Sequence, residues 1–418
     1  MRSFDKVQFM TPEAQLVLLI ARWVVNGQGK EASAINSLLT QEALQWASVN
    51  DLLVYHALFP FVYSCFKNCS SLIPPDEIAL LKKNQDFALF FLACLEKEFS
   101  KIADILRSNN VELLPIKGMG FFIDKMYGDM SCLRPMTDID ILIKEHKLKQ
   151  AEILLKGLGY EQEFDGKREE YWKEQSYHLI FKKREEKKLY KLEVHWLLDY
   201  PGRISLLPSL WQRRRKCRWG GKEMSLLSWE DTLFCLALHL RRYGNVLSLK
   251  SACDVALLLS KYKELDWDYV LKEARAGRLR SSLYFVLSQA ELLFNVKAPL
   301  EVLKNLGLPA YKKRLIQDFI LRNTFWEGLS LHSKNSNRAN LIYLNSHFLV
   351  YDDFLKPVTM IINMPQEQFA KLYSLPTYYL RTRILYKLRS FYFLFDFLKL
   401  IFKTSAQKLA KWITKYVT

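Results

Sequence analysis

Residues 111–143 constrain the fold of this chain more than any other stretch. The apolar, β-branched run at 111–116 predicts a buried strand, and the run at 137–143 predicts a second one. Between them lie a tight turn at Lys117-Gly118 and a short helix expected at 119–126. The stretch therefore predicts a strand, turn, helix and strand unit around which the rest of the chain is organised.

The second of these strands begins with two carboxylates, Asp138 and Asp140. Side chains two apart on a strand leave from the same face, separated by about 7 Å along the chain. Both aspartates can therefore reach into one cleft, and paired carboxylates held in this way bind divalent cations. The alternative is an exposed strand start that carries two solvated acids.

The turn before the helix offers groups that suit phosphate. Gly118 lacks a Cβ, so its backbone can approach a ligand closely or take a positive φ. The amides at the start of the following helix can receive phosphate oxygens, and Lys117 adds a compact positive charge. A phosphate-binding turn followed by an Asp-x-Asp strand is the layout needed for metal-assisted attack on a nucleoside triphosphate.

Two further strands are expected at 177–183 and 188–196, joined by a charged turn at 184–187. Alternation along the second strand places Lys191, Glu193 and His195 on one face. We expect this face to point at the metal.

The motifs Lys-Gly at 117–118, Arg-x-x-x-Asp-x-Asp at 134–140 and Glu-x-His-Trp at 193–196 resemble a known group. They are similar to the nucleotidyltransferase superfamily of the DNA polymerase β type, and more closely to a bacterial branch of uncharacterised nucleotidyltransferases. The resemblance covers most of the chain and includes 46–60, the segments around His239 and Asp254, and 364–376.

The resemblance implies an α+β fold: a polymerase β-like nucleotidyltransferase core with a small mixed sheet, flanked by helical N-terminal and C-terminal regions. It implies transfer of a nucleoside monophosphate from a nucleoside triphosphate to a hydroxyl or phosphate of an unknown acceptor, with release of pyrophosphate. Asp138 and Asp140 would bind Mg²⁺, or Mn²⁺ as the alternative ion, and Glu193 would complete the catalytic and metal site. Its alternative role is a salt bridge with Lys191 on the sheet face.

Lys117, Gly118 and Arg134 are the candidate nucleotide-binding residues. Lys117 could instead be a surface lysine in a turn, and Arg134 could brace the loop through a bidentate pair with one of the aspartates. Met119 departs from the wider superfamily, which has Ser or Gly at that position to help hold the terminal phosphates.

The histidines have simpler interpretations. Mg²⁺ prefers oxygen ligands, so we interpret His178 and His195 as hydrogen-bonded structural residues, with His195 also a candidate for binding the acceptor. His239 and Asp254 match the family pattern in the helical part, where a hydrogen bond between helices is the alternative to a contact with a ligand.

Four regions are predicted: a helical N-terminal region at 1–109, the core at 110–200, a helical C-terminal domain at 201–376 and a basic amphipathic tail at 377–418. In addition to the central elements, helical patterns occur at 12–25, 41–50, 51–66, 76–109, 145–158, 229–242, 247–262, 266–276 and 281–294.

The net charge of +17 favours anionic partners. Besides the triphosphate and the acceptor, these include RNA at the basic segment 213–218, and RNA or an anionic membrane surface at the tail. Of these interpretations, internal packing is favoured for the tail's apolar stripe, and a solvated face is favoured for 213–218. Seven cysteines without a Cys-x-x-Cys pair, and an amino terminus without an apolar run, predict a cytoplasmic protein, with peripheral membrane attachment as a variant.

Two other classes of function stay open. Met119 is consistent with a non-catalytic protein that binds nucleotides or acts as a scaffold on the same fold. The basic tail and the segment 213–218 are consistent with a protein that associates with membranes or RNA. The sequence does not indicate the nucleotide base, the acceptor or the oligomeric state.

Overall fold

The fold is taken from a computed structural model of the chain. The described residues are 11–41, 43–67, 69–163, 176–186, 188–199, 207–242, 248–322, 348–353, 366, 370 and 379–388. They form a mixed α+β structure in which a small mixed sheet lies between helical regions.

Five helices precede the sheet: α1 (Pro12–Asn26), α2 (Gln28–Gln41), α3 (Trp46–Tyr55), α4 (Phe59–Phe66) and α5 (Pro75–Ser108). Helix α1 begins as predicted, because Thr11 Oγ1 accepts a hydrogen bond from the Ala14 amide and Pro12 occupies the first turn. Helix α2 was not predicted. The helix expected over 51–66 is interrupted at Ala57, whose φ of +52° breaks the helical path before α4.

The main sheet has five strands in the order β1-β2-β5-β4-β3. They are β1 (Leu113–Pro115), β2 (Ile139–Ile143), β3 (Glu161–Gln162), β4 (His178–Glu185) and β5 (Lys188–His195). Strands β2 and β5 pair in parallel and the other neighbours are antiparallel, which confirms a small mixed sheet. Helices α6 (Lys117–Ile123) and α7 (Leu148–Gly157) connect the strands close to the predicted positions.

A second, two-stranded sheet was not predicted. Strands β6 (Arg215–Trp219) and β7 (Lys222–Leu226) follow helix α8 (Leu207–Arg213) and pair antiparallel around Gly220-Gly221. Both glycines have positive φ, as this tight turn requires.

The remaining described helices confirm the helical pattern of the C-terminal part. They are α9 (Trp229–Arg242), α10 (Leu249–Lys261), α11 (Trp267–Ala276), α12 (Arg280–Phe294), α13 (Leu300–Asn305), α14 (Ala310–Arg322) and α15 (Leu380–Lys387). None of the described helices is long and apolar enough to cross a membrane.

Two hydrophobic cores organise these elements. One fills the space between the sheet, α7 and the second half of α5. The other contains side chains from both the N-terminal and the C-terminal helices. Direct bonds join the same regions, since Arg22 Nε donates to the Leu293 carbonyl at 2.7 Å and Cys253 Sγ lies 3.7 Å from the Ala21 carbonyl oxygen. Among the described residues, helices α1–α4 and helices α9–α14 therefore share one core.

The described start of the predicted tail stripe is solvent-exposed. Leu380, Ile384 and Leu388 are 72%, 50% and 46% exposed, whereas Thr382 on another face of α15 is buried. Within this helix, the first three stripe residues do not pack internally. The rest of the stripe, and the 364–376 passage apart from 366 and 370, lie outside the described residues.

Candidate active site

Parallel pairing of β2 with β5 places two buried carboxylates side by side. Asp140 is the register partner of Glu193, and the two residues are 4% and 5% exposed. The alternation predicted for 188–196 therefore brings Glu193 to the face that carries Asp140. Two neighbouring buried carboxylates repel each other unless positive charge lies between them.

Lys117 supplies positive charge at this position. Its ammonium lies 2.5 Å from Asp140 Oδ1 and 3.4 Å from Glu193 Oε2, and its side chain is only 12% exposed. The backbone of Lys117 is left-handed, with φ of +50°, an uncommon conformation for a residue with a Cβ. Lys117 is therefore a buried partner of the two carboxylates rather than a surface lysine.

His195 joins the same cluster. Its Nε2 lies 2.9 Å from Asp140 Oδ1 and 3.4 Å from Glu193 Oε2, and its ring stacks on His178. Within the described part of the chain, the buried Nδ1 has no hydrogen-bond partner. A metal-bound histidine normally donates its other N–H to an acceptor, so this geometry favours Nε2–H as a donor to Asp140.

Asp138 borders the cluster. It precedes β2, whose first residue is Ile139, so the predicted strand starts two residues late. Its side chain is 28% exposed, and Lys191 bridges it to Glu193, with distances of 3.7 Å to Asp138 Oδ2 and 2.7 Å to Glu193 Oε1. The predicted salt bridge between Lys191 and Glu193 is therefore present alongside the cluster.

The pKa values of the three carboxylates are shifted in different directions by their surroundings. Burial alone would raise the pKa of Glu193, but the hydrogen bond with His195 and the charge of Lys117 hold it well below its ordinary value. Burial also opposes ionisation of Asp140, whose pKa is nonetheless lowered by Lys117 and His195. Burial, followed by the charges of Asp140 and Glu193, raises the pKa of Asp138. Asp138 is thus the most basic of the three.

Gly118 lies inside α6 against protein rather than at a left-handed turn. The left-handed conformation is that of Lys117, and a Cβ at Gly118 would meet Arg134 Nη1 at 3.0 Å and Met136 Cβ at 3.1 Å. The small residue therefore permits close packing of α6 on the loop that leads to β2. Met119, next to it, is fully buried in the sheet core, so its side chain takes no space in the cluster.

Arg134 braces the loop before β2, with a partner that the sequence did not indicate. Its Nε and Nη2 donate to the two oxygens of Asp254 at 2.8 and 2.7 Å, and Tyr127 donates to the same carboxylate at 2.6 Å. Asp254 lies on α10, so the pair fixes this helix to the loop. Both residues are buried, and the expected pair of Arg134 with Asp138 or Asp140 is not formed.

Lys250 is a candidate that sequence reasoning missed. It lies one helical turn before Asp254 on α10, and among the described residues its ammonium forms no hydrogen bond or ion pair. Desolvation, followed by repulsion from Arg134, lowers its pKa to about 8, while Asp254, Asp138 and Asp140 favour its charged form. Its i, i+4 relation to Asp254 is the only signal in the sequence that could have pointed to it.

The cluster has ligand atoms for a cation. One atom from each of Asp140, Glu193 and His195 lies within 4.8 Å of the others, and all three residues are buried. Two carboxylates beside a histidine that donates from Nε2 offer oxygen ligands, which suit Mg²⁺ and Mn²⁺. The ammonium of Lys117 shows that these oxygens already accommodate one positive charge.

The basic segment at 213–216 is engaged in ion pairs with acids elsewhere in the protein. The pairs join Arg213 to Glu230, Arg214 to Glu112, Arg215 to Asp124 and Lys216 to Glu223, at 2.5–2.9 Å. Arg215 also lies over the Trp229 ring. These contacts anchor the hairpin, and RNA binding at the segment stays a prediction.

Comparison with known proteins identifies one family. The family model described as "Uncharacterised nucleotidyltransferase" matches residues 42–295, which include every residue of the cluster. Searches of curated proteins and of solved structures gave no significant match.

Proposed function

Because the chain belongs to the uncharacterised nucleotidyltransferase family, we propose that it transfers a nucleoside monophosphate from a nucleoside triphosphate to an acceptor. The acceptor atom is a hydroxyl or phosphate oxygen, and pyrophosphate is released. The observation that carries the proposal is the register pairing of Asp140 with Glu193 around the Lys117 ammonium.

The core of this enzyme is of the polymerase β type. The parallel pair β2–β5 carries the carboxylates, and α6 enters the site beside them from the preceding strand. This arrangement supports the proposal because acids from two separate stretches of sequence meet at one place. Helix α10 adds Asp254 and Lys250 to the side of the site next to Arg134.

Asp140 and Glu193 would hold Mg²⁺, or Mn²⁺, with Asp138 as the third carboxylate at the open side. A divalent cation bound there supplies charge neutralisation for the transferring phosphate and orients the attacking oxygen. His195 orients the Asp140 carboxylate through Nε2, and Lys191 does the same for Glu193.

The transfer proceeds by attack of the acceptor oxygen on the α-phosphorus. A new P–O bond forms to the acceptor, the bond between the α-phosphorus and the α,β-bridging oxygen breaks, and pyrophosphate leaves with that electron pair. Where the acceptor is a hydroxyl, Asp138 accepts its proton, because the raised pKa and partial exposure of Asp138 suit a base better than the strongly ion-paired Glu193. A phosphate oxygen attacks as the anion and needs no base.

Cations around the cluster would bind the phosphates that leave. Lys117 can turn from the carboxylates to a phosphate oxygen, and Lys250 lies close enough to Asp138 and Asp140 for their charges to act on its ammonium. The Gly118 amide at the start of α6 is the third candidate. Arg134 acts indirectly in this account, since its Asp254 pair fixes the loop that presents Asp138.

The class of acceptor and the location of the reaction are inferred from the net charge of the chain and from the exposed residues of α15. The high positive charge suits an anionic acceptor in the cytoplasm. Attachment to an anionic membrane surface through the exposed stripe of α15 remains a variant of the proposal.

The test is release of pyrophosphate from each nucleoside triphosphate with Mg²⁺ or Mn²⁺ and a pool of metabolite and RNA acceptors. The wild-type protein should release pyrophosphate, and Asp140→Asn should lower the rate by about 10³-fold or more because the variant loses a site carboxylate. Glu152→Gln is the matched control, because Glu152 is a buried carboxylate on α7 that forms ion pairs with Lys149 and Lys156, outside the cluster. Equal rates in the wild type and Asp140→Asn would refute the proposal.

A further inference from the structure

The Lys117 ammonium occupies the position between two carboxylates where the proposed function needs a divalent cation. It lies 2.5 Å from Asp140 Oδ1 and 3.4 Å from Glu193 Oε2. Two positive centres cannot share these oxygens at such distances without strong repulsion. Lys117 and a bound cation therefore exclude each other, at least in the side-chain conformation seen here.

The backbone supports a specific role for this lysine. With φ of +50°, Lys117 adopts a conformation that is unfavourable for a residue with a Cβ and that glycine adopts readily. The chain nevertheless has a lysine here, with its side chain directed into the cluster. Such local strain is typical of residues whose position serves the function of a site.

Lys191 also pairs with the cluster, but from a more exposed position than Lys117. It also pairs with Glu193, at 2.7 Å, but through the outer oxygen Oε1, and its side chain is 35% exposed. Its next acid is Asp138, at 3.7 Å, rather than Asp140. Lys191 can therefore remain in place beside a cation, whereas Lys117 must move.

We propose that Lys117 is a tethered counter-ion that competes with free divalent cations for Asp140 and Glu193. When the cation arrives together with a triphosphate, the phosphates accept the displaced ammonium and the carboxylates become available to the cation. Cation and triphosphate then bind cooperatively, and the free protein binds a divalent cation only weakly. This inference rests on the proposed function for the identity of the anion that receives Lys117.

Calorimetric titration of the full chain with Mn²⁺ alone tests the competition. We expect Lys117→Met to bind Mn²⁺ about tenfold or more tightly than the wild type, within the usual range of coupling between two ligands. Lys182→Met is the control and should stay within about threefold of the wild type, because Lys182 pairs with the half-exposed Glu163 and not with a carboxylate of the cluster. Equal Mn²⁺ affinities of the wild type and Lys117→Met would overturn the proposal.

A second readout keeps the test valid if Lys117→Met is unstable. This variant and Lys117→Gln leave two buried carboxylates without their counter-ion, so both should have a lower thermal unfolding midpoint than the wild type in metal-free buffer. Mn²⁺ should then raise the midpoint more in the variants than in the wild type. Failure of Mn²⁺ to restore the folded state in either variant would also overturn the proposal.

The Mn²⁺-binding test of the competition and the pyrophosphate-release test of the proposed function can fail independently of each other. Tighter Mn²⁺ binding by Lys117→Met in a protein that releases no pyrophosphate would support the competition and refute the transferase. Pyrophosphate release by the wild type together with unchanged Mn²⁺ affinity in Lys117→Met would refute the competition alone.

Discussion

Asp140 and Glu193 are register partners on neighbouring parallel strands, and the ammonium of Lys117 lies between their carboxylates. This relationship concentrates two negative charges in a buried place beside His195, whose ring stacks on that of His178. A buried site with two carboxylates favours the binding of a positively charged group, which is either a side-chain ammonium or a metal cation. The proposed metal-dependent transfer follows from that preference.

Replacement of Asp138 should separate catalysis from folding. Asp138 is partly exposed, and its ion pair with Lys191 is long, at 3.7 Å, so Asp138→Asn should leave the fold intact. Loss of the proton acceptor should lower the rate of pyrophosphate release by about 10²- to 10⁴-fold. Circular dichroism together with the release assay measures both effects, and full activity in this variant would contradict the assigned role.

Replacement of Arg134 should destabilise the protein rather than simply weaken nucleotide binding. Arg134→Met leaves Asp254 buried without its partner, which should lower the free energy of unfolding by about 3–5 kcal/mol. Arg214→Met is the control, because the Arg214–Glu112 pair is about one-third exposed and its loss should cost less than about 1 kcal/mol. Urea unfolding measures the free energy of unfolding of both variants. Equal decreases in the two variants would contradict the role of Arg134 in bracing the loop.

Two glycines should respond in opposite directions to substitution by alanine. Gly118→Ala places a Cβ within 3.1 Å of Arg134 and Met136, so it should destabilise the fold by about 1–3 kcal/mol. Gly157→Ala meets nothing within 4 Å at the end of α7 and should stabilise the fold by about 0.5–1 kcal/mol. Thermal unfolding would contradict the packing account if Gly118→Ala were neutral.

The role of Lys250 predicts a pH dependence. Its pKa of about 8 means that the ammonium is present below pH 8 and is lost as the pH rises above that value. The KM for the triphosphate should therefore rise above pH 8 in the wild type. In Lys250→Arg, whose guanidinium stays protonated, this rise should disappear, whereas Lys250→Met should have a KM about tenfold higher at every pH. A wild-type KM that does not change between pH 7 and 9 would exclude the contact.

Local patterns were sufficient to predict the central strands and the side-chain alternation that brings Glu193 beside Asp140. A period of two determines which side chains share a face, and the apolar segment at 139–143 and the alternating segment at 188–195 are long enough to show it. The same reasoning could not show that Arg134 pairs with Asp254, because that contact depends on how α10 docks against a loop distant in sequence.

The missed hairpin and the conformation of Lys117 have different explanations. Alternation at 215–219 followed by Gly220-Gly221 is a recognisable hairpin signal, but the dense positive charge of the same segment is also typical of a solvated or nucleic-acid-binding surface. No sequence rule predicts a left-handed lysine beside a glycine, since glycine is the residue that ordinarily adopts that conformation. The strain is sustained by the ion pairs of Lys117, which only the folded sheet provides.

The fate of each phosphate of the triphosphate tests the central claim most directly. Wild-type protein is incubated with Mg²⁺, the acceptor pool and nucleoside triphosphates labelled at either the α- or the γ-phosphorus, with Asp140→Asn as the inactive control. The account predicts that the α-label becomes attached to an acceptor and the γ-label appears in pyrophosphate. Attachment of the γ-label to an acceptor, or transfer of neither label from any nucleotide, would contradict it.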